Sequence, residues 1–251
     1  MDKIIKTDTD PLNFLKEFTA ARIAIGSAGG SIPTTQSLEF KLAHAHARDA
    51  VYSGMDTDSL EDELLQFHRP VLQLHSQAAS RAQYLQRPDL GRLPAELSLN
   101  RLADQITGDD VVIIIADGLS ARAMNENVMS LLKILVPKLL AADLKLGPFC
   151  LVQQGRVAIG DHIAHELNAK LSLVLIGERP GLSAADSIGA YLTYLPKPGL
   201  KDNSRNCISN IRPDGLGFAP AADKIFYLIQ EAFKRKLSGV ELKDNEGLLG
   251  E

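Results

Sequence analysis

Tryptophan is absent from the 251 residues, and aromatic side chains make up only 5% of them. A surface on which single-stranded nucleic acid stacks its bases needs such rings. A basic excess is missing too. The net charge is −4, which leaves no overall footprint for a phosphate backbone. Cysteine is scarce: Cys150 and Cys207 stand far apart without the C-x-x-C spacing of a zinc or redox site. In a reducing cytosol both are expected as thiols. Long apolar runs are lacking. Val111–Ala116 and Leu171–Ile176 are far too short to span a bilayer. The first ten residues carry no apolar core of a signal peptide. A cytosolic protein is expected, with neither nucleic acid nor membrane as partner.

What is present divides the chain in two. Residues 1–106 read as mostly helical. Pro11 opens a run in which Leu12, Leu15, Phe18 and Ile23 recur at roughly helical spacing, until the Gly26–Gly30 stretch breaks it. A helix capped by Thr34 or Thr35 is predicted to about Tyr52, and Val71–His75 alternates like a short strand. In residues 107–251 the pattern changes. Val111–Ile115 is a continuous β-branched run, which suits a strand buried on both faces. Pro148–Gln153, Leu171–Ile176, Ala190–Leu195 and Cys207–Ile211 are further strands. Ile159, Ile163 and Leu167 mark an amphipathic helix between them. Pro137 starts a new helix or kinks the old one, and Ser183 with Asp186 resembles a capping box for a short helix. The last helix begins near Pro220, with Ala222, Ile225, Phe226, Ile229 and Phe233 on one stripe. The alternation predicts an α/β fold: a helical N-terminal arm, then a Rossmann-like doubly wound parallel sheet.

In such sheets ligands sit beyond the carboxyl ends of the strands. Those ends are Asp117–Ser120, Gly155–Val157, Gly177–Leu182 and the region after Cys207. The usual cofactor motifs are missing. No G-x-G-x-x-G follows a strand and no G-x-x-x-x-G-K-[ST] exists. A stand-alone nucleotide enzyme is disfavoured further by Asp117, an acid where a phosphate would lie. The D-x-H-x-x-G motif, which supplies a histidine to cobalt, is absent, since Asp161 and His162 are adjacent. His162 with His165, and His44 with His46, have no carboxylate or cysteine completing a recognisable metal site.

Gly155–Val157, the "VLIGERPGL" run at 174–182 and the "NCISNI" run at 206–211 stand in order along the chain. With Asp117–Ser120 and Arg87–Gly91, they resemble the ethanolamine ammonia-lyase light chain over about Ala21 to Val240. The resemblance implies the small subunit of an adenosylcobalamin-dependent lyase that converts ethanolamine to acetaldehyde and ammonia by radical chemistry. It implies that substrate reacts in a separate large subunit, with this chain packing on the other face of the corrin. It implies a base-on cofactor with no cobalt ligand from this chain. The expected assembly is a trimer of dimers of large–small pairs, free in the cytosol or inside a bacterial microcompartment. No catalytic residue is expected here. Val157, Glu178 and Cys207 match the cobalamin-contacting positions of the family, with Arg179, Gly181 and Ser209 beside them. The alternative is a structural partner that stabilises the large chain without touching the cofactor. The leucines and phenylalanines before residue 70 are the expected partner surface.

Overall fold

The computed structural model describes residues 10–19, 21–105 and 108–243. Helices α1 (Thr34–Tyr52) and α2 (Thr57–Leu64) precede strand β1 (Val71–His75). Helices α3 (Arg81–Gln86) and α4 (Glu96–Ala103) lead to β2 (Val111–Ala116). Then follow α5 (Ala121–Ala141), β3 (Leu146–Gln153), α6 (Ile159–Glu166), β4 (Leu171–Gly177), β5 (Ile188–Tyr194), β6 (Asn206–Ile211) and α7 (Phe218–Arg235). The fold is mixed α/β.

The six strands form one sheet in the order β1-β3-β2-β4-β5-β6. The first four run parallel. Here the sequence reading of a parallel sheet needs correcting, because β5 lies antiparallel to β4 and β6 antiparallel to β5. The cause is connection length. Only residues 178–187 join β4 to β5, and a crossover to a parallel neighbour takes about a dozen residues or more. A short link leaves only the hairpin-like return.

Both faces of the central strands carry helices. On one, Met124, Leu132 and Leu135 of α5 and Ile225 and Ile229 of α7 pack on Ile113, Leu173, Leu192 and Ile208. On the other, Leu102 of α4 with Ile159 and Ile163 of α6 packs on Val112, Ile114 and Val174. β2 is buried at every position, as its β-branched run requires. The outer pair β5–β6 is treated differently. Its α7 side is filled, but among the described residues only Tyr191 of these two strands packs into the second core. Cys207 and Ser209 stay exposed on β6.

Several local expectations change. The run from Pro11 yields a short 3-10 turn, Asn13–Glu17. The cap of α1 is Pro33, not Thr34 or Thr35, and no side chain caps it. Pro137 lies inside α5, which continues to Ala141 without a new start. Ser183 and Asp186 open no helix. Residues 181 and 184 instead exchange backbone hydrogen bonds in a turn.

Candidate functional site

The carboxyl ends of β2, β3 and β4 meet through a network that begins with Asp117. Its carboxylate accepts hydrogen bonds from the backbone N–H of Gln154 at 2.9 Å and Gly155 at 3.1 Å, and Arg81 lies 3.8 Å away. Asp117 is buried. Burial raises its carboxyl above the ordinary range, opposed by those N–H donors and by Arg81. The acid read as a barrier to phosphate is therefore a clamp between strand ends. Gly118 has φ +57°, and a Cβ on it would lie 2.2 Å from the carbonyl oxygen of Gly177. Leu119 N–H donates to that same oxygen at 2.9 Å. Ser120 then caps α5, accepting from Ala123 N–H, and donates to Ala185 O at 2.6 Å.

Beside this network, on the uncovered face of β5–β6, a cavity of about 350 Å³ opens. Pro88, Arg92, Arg156, Val157, Ala158, Tyr191, Asp202, Arg205 and Cys207 line it. Two of the three sequence-predicted positions, Val157 and Cys207, thus share one wall. Val157 also packs against the second core. Tyr191 pairs with Cys207 across the strands. The Cys207 thiol is pushed up by the partial desolvation of its place beside Tyr191 and by the nearby Glu178 charge, with the Tyr191 hydroxyl opposing. Tyr191 is raised by burial first, and then by Cys207 and Glu178. A protonated thiol suits a contact role.

Glu178 sits just past β4, at the rim rather than on the cavity wall. Its carboxylate accepts from Ser187 Oγ at 2.8 Å, from Asn210 N–H at 3.0 Å and from Ser209 Oγ. A β-bulge creates this arrangement. Ile188 pairs with Ile211 and Ala190 with Ile208, so β6 holds one residue more than β5 over that stretch. Bulges re-aim side chains in this way. Asn210 takes a left-handed φ of 59° within it. A carboxylate offers about four acceptor sites, and three are taken, so about one remains for a ligand. Across from it, Gly189 is flush: a Cβ there would come within 3.2 Å of Glu178 Oε1 and 3.0 Å of the Tyr191 ring.

Of the adjacent candidates, Ser209 joins the site through Glu178. Arg179 is exposed and makes no ion pair with Glu178 among the described residues. Gly181 lies elsewhere, in a hollow with Glu39 and Leu42 of α1. Sequence reasoning missed Arg205. It forms a buried ion pair with Asp161 of α6 and a 3.0 Å bond to Asp202. Burial raises the Asp161 carboxyl while Arg205 lowers it. No sequence pattern links residues so far apart. Among the described residues no group of three or more His, Cys, Asp and Glu is gathered to hold a metal ion. His162 and His165 belong to no such group.

A family model described as ethanolamine ammonia-lyase light chain (EutC) matches residues 9–243. The chain belongs to this family. The match starts earlier than the motifs alone suggested. The ethanolamine ammonia-lyase small subunit of Pseudomonas aeruginosa is 50% identical over 234 residues, covering 92% of this chain and 86% of that protein. That of Azotobacter vinelandii is 48% identical over 239 residues, 94% of this chain and 88% of that protein. That of Pseudomonas putida is 46% identical over 248 residues, 97% and 91% respectively. As an ethanolamine ammonia-lyase light chain, this protein is a subunit of a carbon–nitrogen lyase.

Proposed function

We propose that the chain is the cofactor-covering subunit of an adenosylcobalamin-dependent ethanolamine ammonia-lyase, seating the corrinoid on the β5–β6 face against a large subunit. The observation that carries this is convergence. Val157 and Cys207, from distant segments, line one cavity beside the Glu178 rim. The site fits a corrinoid in kind. It joins an apolar wall to a few fixed polar groups, as ligand sites do, and Gly189 keeps the sheet surface low where a Cβ would crowd Glu178. Bound adenosylcobalamin supplies radical chemistry through homolysis of its cobalt–carbon bond, and ethanolamine reacts on the large subunit. This chain's residues only bind and orient. Val157 offers apolar contact, Cys207 a small uncharged thiol, and Glu178 one remaining acceptor for a corrin amide N–H. No residue of this chain is proposed as a ligand to the metal. Residues 108–243 supply the Rossmann-like seating unit, with β1 adding an edge strand to its sheet.

The partner surface is the N-terminal arm. Phe14, Phe18, Ile32, Leu38, Phe40 and Leu42 are all exposed, and a subunit interface is where such residues find cover. The assembly proposed with it is a trimer of dimers of large–small pairs, cytosolic or within a microcompartment. None of the described helices is long and apolar enough to cross a membrane.

The test is Glu178→Ala in the complex with the large subunit. Cobalamin affinity falls about tenfold, the scale of one charge-assisted hydrogen bond, while assembly stays intact. Unchanged affinity with weakened assembly favours the second reading, a structural partner, which the same exposed arm supports.

A further inference from the structure

The 350 Å³ cavity is too small to enclose a corrin ring but large enough for one appendage of it. Its charged lining is three arginines, Arg92, Arg156 and Arg205, against one carboxylate, Asp202. Arg205 is neutralised by Asp161 and Asp202. Arg156 forms no ion pair among the described residues. Its guanidinium lies 4.1 Å from the Tyr84 ring centroid, and its Nη2 donates to Tyr84 O at 3.3 Å. Of its five N–H donors the others are untaken within the described residues, and its Nε is buried without an acceptor. The Nε of Arg205, whose side chain is only 3% exposed, is buried and unpartnered as well. The backbone N–H groups of Val157 and Ala158, at the start of α6, meet no acceptor among the described residues either. The cavity therefore carries more positive charge than its one lining carboxylate, Asp202, and the neighbouring Asp161 offset.

We infer that this cavity is an anion subsite, in which Arg156, assisted by Arg92, takes the phosphodiester of the cobalamin nucleotide loop. The inference rests on the cofactor reading above and adds a chemical division within it. The rim at Glu178 meets amides, and the cavity meets the phosphate and its sugar. A monoanionic phosphodiester matches the planar guanidinium fork of an arginine. Tyr84 holds that fork in place, packed between Arg156 and Arg81, so little side-chain freedom is lost on binding.

The test compares two corrinoids on the full complex with the large subunit. Cyanocobalamin carries the nucleotide loop; cyanocobinamide lacks it. Arg156→Met lowers cyanocobalamin affinity about ten- to a hundredfold and leaves cyanocobinamide affinity within about twofold. Arg156→Lys recovers part of the loss. Because Arg156 also packs on Tyr84, Arg92→Gln, an exposed change, provides a second measure: it weakens cyanocobalamin alone and flattens its salt dependence. Native cyanocobalamin affinity in both Arg156→Met and Arg92→Gln, or equal loss of both corrinoids, overturns the inference. Glu178→Ala in parallel separates the two claims. If it weakens both corrinoids while the arginine variants do nothing, only the anion subsite fails. If all three bind as the native chain does, the cofactor reading fails with it.

Discussion

Replacing Arg205 with methionine tests how the cavity floor is held. The residue ties the entry of β6 to α6 through Asp161, and each side chain is only 3% exposed. Its second partner, Asp202, is 96% exposed, so that bond contributes little. Methionine fills much of the arginine volume but leaves Asp161 charged in a buried place. Removing one partner of a buried pair costs about 3–5 kcal/mol. For a chain of this size that lowers the melting temperature by about 6–20 °C. The cost depends on pH in a definite direction. Asp161 is already raised by burial with Arg205 opposing, so losing Arg205 raises it further. A carboxyl raised in the folded state imposes no ionisation penalty below its unfolded value, about 3.9. The penalty grows as pH climbs through the folded value. The gap between native and Arg205→Met chains is therefore narrow near pH 4 and full at pH 8. Adding Asp161→Asn removes the stranded charge and recovers at least half the loss. Urea unfolding followed by circular dichroism measures all three chains. A gap constant across pH, or a double variant no more stable than the single, would refute the assignment of the pair as mutually neutralising.

Other outcomes follow from the geometry. Gly118→Ala places a Cβ 2.2 Å from the Gly177 carbonyl at φ +57°, so stability drops by about 2–4 kcal/mol, measured by the same unfolding curves. Cys207→Ser leaves cobalamin affinity within about threefold in the assembled complex, since a protonated thiol and a hydroxyl both serve as small uncharged contacts; a hundredfold loss in a binding titration would mean the sulfur itself is used. Leu38→Glu with Leu42→Glu, both on the exposed side of α1, leaves the melting temperature of the isolated chain unchanged within about 2 °C. The same pair weakens co-purification with the large subunit, and undiminished recovery would remove α1 from the interface.

The strands were the most legible part of the sequence, for a physical reason. Val111–Ile115 and Leu171–Ile176 are buried on both faces, and short runs so rich in β-branched and aliphatic residues suit a strand covered on each side. The direction of β5 was not legible from its residues. It depends on the length of the 178–187 link, a constraint that hydrophobic pattern does not encode. The site was legible only in pieces. Val157, Glu178 and Cys207 were reached through family resemblance, while their residue types alone describe ordinary packing. The partners of Glu178 stayed hidden because the β6 bulge adds one residue, and alternation cannot distinguish a bulge from a strand end. Arg205 with Asp161 was hidden because an ion pair across long separation leaves no periodic trace. The partners of Asp117 were hidden too: the sequence puts an acid at the end of β2, but not the two backbone amides of the β3 end that bond to it.

The return of the chain at β5 has an effect on variability. Because β4 ends where β5 begins, the stretch between them, residues 178–187, is pinned near the sheet: Glu178 N–H donates to Ser187 O, and Ser120 and Asn127 donate to the carbonyls of Ala185 and Asp186. Such a link can change length at its tip, around residues 179–184, without sliding any strand, since the ladder below it is already closed by Gly177 opposite Ile188. An insertion at that tip leaves the bed beneath in register, whereas one at residues 185–187 breaks the bonds to Ser120 and Asn127.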